Sequence, residues 1–176
     1  SSRPIRRGDF VLIDIWARLA GDPRAVWYAI TWTGVVDRGP TAREQEIFTT
    51  VRNARDAAIA AVEQAFAANT PIAGFQADDA SRAVIRTAGF AAQFTHRTGH
   101  NIGTALHGNG ANLDDLETHD TRLILPDTCF SVEPGIYFPG AHGDPNAFGI
   151  RSEVNMIARR GHAEVTGPRQ TELVRI

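Results

Sequence analysis

FVLIDIW, residues 10–16, is a nearly continuous apolar run that one acid, Asp14, interrupts at its centre. Such a run predicts a buried β-strand, and a carboxylate inside it needs a partner. After the turn residues 21–23, AVWYAITWTGVV (25–36) is rich in β-branched and aromatic side chains, which is typical of a second strand. We expect the two segments to pair as a long hairpin.

Two helices are predicted after this hairpin. Thr41 is a suitable N-cap with Glu44 three residues later, and apolar residues then recur at helical spacing as far as residue 69. The predicted buried face consists of Ile47, Val51, Ala54, Ala58, Val62 and Phe66. Pro71 and Gly74 should break the chain, and residues 78–89 predict a shorter helix that ends at Gly89.

The remaining chain is predominantly strand-like. Strand composition covers residues 128–138, 148–158 and 171–176, while GAHGDPNA (140–147) predicts a turn-rich loop. This order predicts a single α+β domain over residues 1–176, with helices on one face of a mainly antiparallel sheet and acids on its concave side.

Composition excludes several classes of function. The 176 residues are 43% hydrophobic with a formal net charge of -2, and all 18 basic residues are arginine, so nothing indicates nucleic-acid binding. The lack of lysine excludes Schiff-base chemistry. No apolar run approaches the roughly 20 residues that cross a bilayer, so we expect no membrane partner and a cytoplasmic location. Cys129 is expected to be a small buried side chain.

Histidines and acids cluster in a way that indicates a metal site. HRTGHNIG (96–103) and His107 hold three of the six histidines. Asp14, Glu133 and Glu153 each interrupt an apolar strand, and a buried carboxylate persists only when it is paired or bound to metal. Any one acid could instead face solvent, cap a turn or pair with Arg151. Together with His100, however, the three form a coherent ligand set for manganese, zinc, cobalt or iron.

Four motifs carry a family resemblance from Gly8 to Ile176. They are GDFVLIDIW (8–16), HRTGHNIG (96–103), SVEPGIY (131–137) and GIRSE (149–153). In this order they resemble the pita-bread metallopeptidases: methionine aminopeptidase, aminopeptidase P, prolidase and the related creatinase. The resemblance implies the pita-bread fold with two divalent metal ions (Mn, Co, Zn or Fe). It also implies metal-ligand roles for Asp14, His100, Glu133 and Glu153, the last as a bridging acid.

Further residues indicate the branch of this family. His96, four residues before His100, is typical of the aminopeptidase P, prolidase and creatinase branch, and Arg151 and Thr31 resemble residues that support the ligands there. HGNGANLDDLETHD (107–120) departs from the usual pattern after the third histidine, which leaves proline specificity open. The other histidines are expected to be exposed; they are His119, His142 and His162.

One ligand of the family pattern is missing. Ala29 stands where a bridging aspartate is expected, and Asp22 is out of register to replace it. Two divalent ions about 3.5 Å apart repel by roughly 19 kcal/mol at an effective dielectric of about 20, which bridging carboxylates offset. We therefore expect one weakly held ion or none, and activity reduced by orders of magnitude. Deliberate mutation and natural loss of the aspartate are both open.

The resemblance implies a hydrolase that removes an N-terminal residue from peptides. Whether its substrates are Xaa-Pro peptides is left open. Glu133 would transfer the proton, and His107 and His96 would donate hydrogen bonds to the oxyanion. Two alternatives stay open: a creatinase-like amidinohydrolase and a catalytically inactive peptide-binding module.

Relatives often form dimers, so a homodimer is a further expectation. In the family, other elements precede the Asp14 strand, so we expect this chain to lack the first part of the fold and any separate N-terminal domain, supplied by a longer polypeptide or by another chain.

Overall fold

The computed structural model describes residues 4–141, 144 and 146–176. Within these residues the regular structure consists of two α-helices, nine strands and one short 3-10 helix at Ala91–Gln93. In chain order the α-helices and strands are β1 (Phe10–Ala17), β2 (Tyr28–Val35), α1 (Ala42–Ala67), α2 (Gly74–Thr87), β3 (Asn101–Ile102), β4 (Thr128–Val132), β5 (Gly135–Tyr137), β6 (Gly149–Arg151), β7 (Val154–Arg159), β8 (His162–Val165) and β9 (Val174–Arg175).

The predicted hairpin is confirmed. Strands β1 and β2 pair antiparallel over their full lengths, with Asp14 opposite Thr31 and Trp16 opposite Ala29. Strand β9 adds to β2 in parallel, which gives a three-stranded sheet in the order β1-β2-β9. Because opposed residues of an antiparallel pair share a face, the register brings Asp14, Thr31 and Ala29 to the same side.

The prediction that residues 10–16 form a buried strand is wrong. Ile13, Ile15 and Trp16 are 47%, 56% and 52% exposed. The reason is position, because β1 is the edge strand of its sheet among the described residues and only β2 pairs with it. Asp14 is likewise an edge residue, with 35% of its side chain exposed, and its partner is Arg151.

Helix α1 forms as the sequence predicts. The Thr41 hydroxyl accepts the Glu44 N–H at 3.2 Å, and the Glu44 carboxylate accepts the Thr41 N–H at 2.7 Å, which completes a capping box. All six residues of the predicted apolar face are buried. The helix packs against α2, against β4, β7 and β8 of the four-stranded sheet and against the β5–β6 pair, and both hydrophobic clusters of the core include its residues.

Helix α2 begins four residues before the predicted start, and Gly74 is its first residue rather than a break. A Cβ at Gly74 would lie 1.8 Å from the Asn112 carbonyl oxygen, so glycine is needed for close contact with the loop that follows β3. The Gln76 side chain accepts the Ala73 N–H at 2.8 Å at the same end. Gly89 follows the helix with a φ of 87°, as its predicted C-terminal role requires.

Each of the two long predicted strands is divided by an acid. The 128–138 strand becomes β4 and β5 around Glu133, and the 148–158 strand becomes β6 and β7 around Glu153. A four-stranded antiparallel sheet has the order β3-β4-β7-β8, and β5 pairs with β6 separately. The sequence did not indicate the short strands β3 and β8. These breaks leave both glutamates at strand ends rather than inside a ladder.

The remaining fold-level predictions have mixed outcomes. The prediction that Cys129 is a buried side chain is wrong: it is half-buried, as is its neighbour Thr128 at the start of β4. His119 and His162 are exposed as predicted, whereas His142 and part of the predicted 140–147 loop lie outside the described residues. None of the helices in the described part of the chain is long and apolar enough to cross a membrane.

Candidate active site

The four predicted metal ligands line one cavity of about 500 Å³ between the three sheets. Asp14 projects from β1, His100 immediately precedes β3, Glu133 follows β4, and Glu153 precedes β7. Asp14 and Glu153 are 139 positions apart in the sequence, yet both line this cavity. The remaining lining residues are Trp16, Ala29, His96, Arg97, Leu106, His107, Glu117 and Arg151.

Glu133 lies at the centre of the polar contacts. Its Oε1 is 3.3 Å from His100 Nε2 and accepts the Ser131 hydroxyl at 2.8 Å, while its Oε2 is 3.9 Å from Arg151 Nε. Its backbone N–H donates to the Thr98 carbonyl at 2.7 Å, which joins the strand end to the histidine segment. Burial raises the pKa of the Glu133 carboxyl above its ordinary value, so the group holds a proton more readily than an exposed glutamate.

Glu153 is almost fully buried and reaches Arg151 through an intermediate hydroxyl. Thr31 Oγ1 donates to Glu153 Oε2 at 2.6 Å and accepts from Arg151 Nε at 3.0 Å. Burial, with a further contribution from the nearby Glu133 charge, raises the pKa of Glu153 to about 8. Thr31 and Arg151 thus lie beside the predicted bridging acid, and their role as supporting residues stays a prediction.

Arg151 also forms an ion pair with Asp14, through its Nη2 and the Asp14 carboxylate. The same guanidinium therefore lies near Glu133 as well as Asp14. It also contacts Glu153 indirectly, through the Thr31 hydroxyl. These contacts compensate negative charge that would otherwise accumulate in the cavity.

The histidines differ in their surroundings. His100 is buried with Nδ1 at 3.1 Å from the Asn101 carbonyl, so the tautomer that donates this bond leaves the Nε2 lone pair on the side of the ring that faces Glu133. Burial lowers the pKa of His100 to about 4, so the ring is neutral near pH 7. His107 is more exposed and lies edge-on to the His100 ring, with ring centroids 4.3 Å apart.

His96 has a partner that sequence reasoning missed. Its Nε2 is 2.8 Å from the Tyr137 hydroxyl, and its Nδ1 is 2.7 Å from the Arg97 carbonyl. Because the Arg97 carbonyl can only accept, Nδ1 donates to it and Nε2 accepts from Tyr137. The only available sequence signal for Tyr137 was its place four residues after Glu133, at the end of the SVEPGIY motif.

Ala29 lies where a carboxylate would enter the cavity. It is buried on the face of the hairpin that carries Asp14, and its methyl group lines the cavity. In the Asn155 amide orientation that satisfies both groups, the amide oxygen accepts the Ala29 N–H at 2.9 Å and the amide nitrogen donates to the Ala29 carbonyl at 3.1 Å. The backbone at this position is therefore held firmly, with no donor atom on the side chain.

The residues as they stand do not fit a pair of divalent ions. Within the described residues, no three histidine, cysteine or acidic side chains are grouped so that they could hold a metal ion. Asp14 is engaged by Arg151, and Ala29 offers no ligand atom. Metal ligation by Asp14, His100, Glu133 and Glu153 stays a prediction, although all four residues line the same cavity.

Comparison with known proteins identifies the family. The family profile of Metallopeptidase family M24 matches residues 1–160. Probable dipeptidase PepE of Mycobacterium tuberculosis (strain ATCC 25618 / H37Rv) is 33% identical over 144 residues, 81% of this chain and 34% of that protein. Xaa-Pro dipeptidase of Lactobacillus delbrueckii subsp. lactis is 31% identical over 144 residues, 81% of this chain and 35% of that protein.

A solved structure agrees with this assignment. The crystal structure of dipeptidase PepE from Mycobacterium ulcerans superposes with a TM-score of 0.82 at 27% identity, over 99% of this chain and 42% of that one. The chain thus spans about a third of the length of the curated relatives it matches. The motifs, the pita-bread arrangement and the profile match agree, and the chain belongs to metallopeptidase family M24.

Proposed function

We propose that the cavity is a peptidase site that binds the amino-terminal end of short peptides and hydrolyses the first peptide bond, which releases the first residue. The observation that carries the proposal is the convergence of Asp14, His100, Glu133 and Glu153 from four separate parts of the chain on one cavity. The names of the relatives, a dipeptidase and an Xaa-Pro dipeptidase, support short peptides as substrates, with Xaa-Pro sequences among them.

The chain's own side chains offer three contributions to such a site. Asp14 provides negative charge for the ammonium group of a peptide, whereas Glu153, whose pKa of about 8 keeps it mostly protonated near pH 7, does not. Glu133, whose pKa burial raises, is suited to accept and return a proton. His107 is suited to donate a hydrogen bond to the oxygen of the attacked carbonyl from an exposed position beside His100. His96 would do so only in its other tautomer, which gives up the bond from Nδ1 to the Arg97 carbonyl and donates from Nε2.

We further propose that this chain is impaired as it stands. Ala29 removes the carboxylate that would offset repulsion between two divalent ions, so the chain holds one ion weakly or none. The ion pair between Arg151 and Asp14 supports this proposal, because it already compensates one of the predicted ligands.

The test is the substitution Ala29→Asp in the longest available form of the polypeptide. We expect a gain of several orders of magnitude in manganese-dependent release of the first residue from short peptides with and without proline at the second position. Ala29→Asn, which has the same shape without the charge, is the matched control and should gain nothing. A folded, metal-loaded Ala29→Asp protein without turnover would contradict the proposal.

A second candidate is a peptide-binding module without catalysis. It is favoured by the absence, within the described residues, of a group of side chains arranged for a metal ion, and by the contact of Arg151 with Asp14. This candidate predicts that peptides bind to the chain with Ala29 in place and that Ala29→Asp binds them without turnover. Isothermal titration with a short peptide, run beside the release assay, separates the two candidates. A creatinase-like amidinohydrolase would instead act on a small amidine substrate without added metal.

A further inference from the structure

A fully buried carboxylate on α2 connects this helix to two loops beside the cavity. Asp78 Oδ1 accepts the Thr98 N–H at 2.9 Å, and its Oδ2 accepts the Asp115 N–H at 2.7 Å. The Arg82 Nε, one helical turn later, donates to the same Oδ2 at 2.5 Å. A single side chain therefore holds the histidine segment and the 113–118 loop against one helix.

Arg82 extends this connection to the histidine itself. Its Nη2 donates to the His96 carbonyl at 2.5 Å, and its Nη1 donates to the Phe94 carbonyl at 3.4 Å. The guanidinium also lies over the Phe94 ring, 4.2 Å from the centroid. The bonds to Phe94, His96 and Thr98 thus bracket the backbone from which the His96 ring projects.

The same backbone contacts the proposed proton acceptor. The Thr98 carbonyl, on the residue whose N–H Asp78 binds, accepts the Glu133 N–H at 2.7 Å. Asp115, the other backbone donor to Asp78, lies two residues before Glu117, which lines the cavity. Asp78 does not line the cavity itself. It is connected to the cavity through two backbone segments, one at Thr98 and one at Asp115.

We propose that Asp78, acting with Arg82, is a positioning residue that sets the orientation of His96 in the cavity. A charged pair without such a function could be replaced by apolar side chains at little loss of stability. The specific feature here is that both carboxylate oxygens and both terminal guanidinium nitrogens bind backbone groups of the segments beside the cavity. Side chains that support a functional group in this way fix its geometry.

The test compares two variants with a control. Asp78→Asn keeps the shape, but its amide cannot accept from both the Thr98 N–H and the Asp115 N–H. Arg82→Lys keeps the charge and cannot bind Asp78 and two carbonyls together. Glu44→Gln is the matched control, since Glu44 is also a buried helical acid paired with an arginine but lies in the α1 capping box, outside the residues that line the cavity.

The readout is the geometry of the His96 ring, measured by NMR. We expect both variants to lose the NOE between the His96 and Tyr137 rings, whose centroids are 5.4 Å apart, and to shift the His96 ring nitrogen resonances. Glu44→Gln should retain both signals while lowering the melting temperature. Unchanged His96 signals in folded Asp78→Asn and Arg82→Lys, or equal changes in Glu44→Gln, would overturn the proposal. If Asp78→Asn does not fold, Arg82→Lys decides alone.

The consequence for chemistry rests on the proposed function. In the Ala29→Asp background, Arg82→Lys should lower kcat on the order of a hundredfold with a smaller change in KM, because a displaced group costs more in the transition state than in binding. An inactive Ala29→Asp protein would contradict the proposed function, while the NMR comparison would still decide the position of His96. An active background in which Arg82→Lys leaves kcat unchanged would overturn the positioning role.

Discussion

At the scale of single residues, the site depends on one cation among three acids. Arg151 contacts Asp14 directly, lies 3.9 Å from Glu133, and reaches Glu153 through Thr31. Arg151 and Glu133 are mostly buried while Asp14 is partly exposed, so removal of Arg151 leaves an uncompensated charge whose cost lies between those of buried and exposed pairs. We therefore expect Arg151 to stabilise the cavity.

We predict that Arg151→Met lowers the free energy of unfolding of the chain by about 2 kcal/mol, between the values for buried and exposed pairs. The measurement is urea unfolding in the presence of EDTA. Arg97→Met is the matched control, because Arg97 also lines the cavity but pairs with the more exposed Glu117 at 3.4 Å. The control should change stability by less than about 1 kcal/mol. Equal losses in the two variants would show that the acids do not depend on Arg151.

At the scale of elements, the start of α1 illustrates a local electrostatic contribution. Burial raises the pKa of Glu44, but hydrogen bonds from Arg38 and Thr41 outweigh burial, so the net pKa lies below its ordinary value. A carboxyl whose pKa is lower in the folded state stabilises the fold above its unfolded pKa. That stability is lost as the pH falls through the folded pKa.

We predict that Glu44→Gln lowers the free energy of unfolding at pH 7 by about 1 kcal/mol, and that this difference shrinks below the ordinary pKa of 4.5. Urea unfolding at pH 7 and at about pH 3 measures both differences. Glu46→Gln, an exposed change in the same part of the helix, should have a small effect at either pH. A Glu44→Gln difference that is constant across this range would contradict the assignment.

The close approach of β4 to the histidine segment gives a second prediction at this scale. A Cβ on Gly99 would lie 2.0 Å from the Ser131 carbonyl oxygen, so Gly99→Ala must displace either β4 or His100. We expect a loss of about 3 kcal/mol in unfolding free energy, because the clash is with backbone. Gly103→Ala is the control, since a Cβ on Gly103 would have no neighbouring atom within 4 Å. Comparable stability of the two variants would show that the backbone relaxes at no cost.

Some elements of the fold could be predicted from the sequence and others could not. Helix α1 was predicted with its N-cap because the cap residues and the apolar period both act within a few residues of each other. The exposure of β1 could not be predicted, since burial depends on which strands lie beside it. The breaks at Glu133 and Glu153, and the two-residue strand β3, likewise depend on long-range pairing.

At the scale of the whole molecule, the site is a product of convergence. The family motifs predicted which residues should meet, and the structure brings Asp14, His100, Glu133 and Glu153 to one cavity. Contacts between distant residues such as Asp14 with Arg151, His96 with Tyr137 and Asp78 with Thr98 had no local signal. These contacts depend on the packing of the whole chain, because each joins elements that are far apart in sequence.

We propose that this cavity is a metallopeptidase site in which Ala29 replaces one bridging carboxylate. Manganese titration of the chain and of its Ala29→Asp variant, followed by calorimetry, tests it most directly. We predict at most one weakly held ion with alanine and two ions after the substitution, with a gain in affinity beyond the roughly 10- to 100-fold that supporting residues contribute. Two tightly held ions with alanine in place, or no gain in a folded Ala29→Asp protein, would contradict the claim.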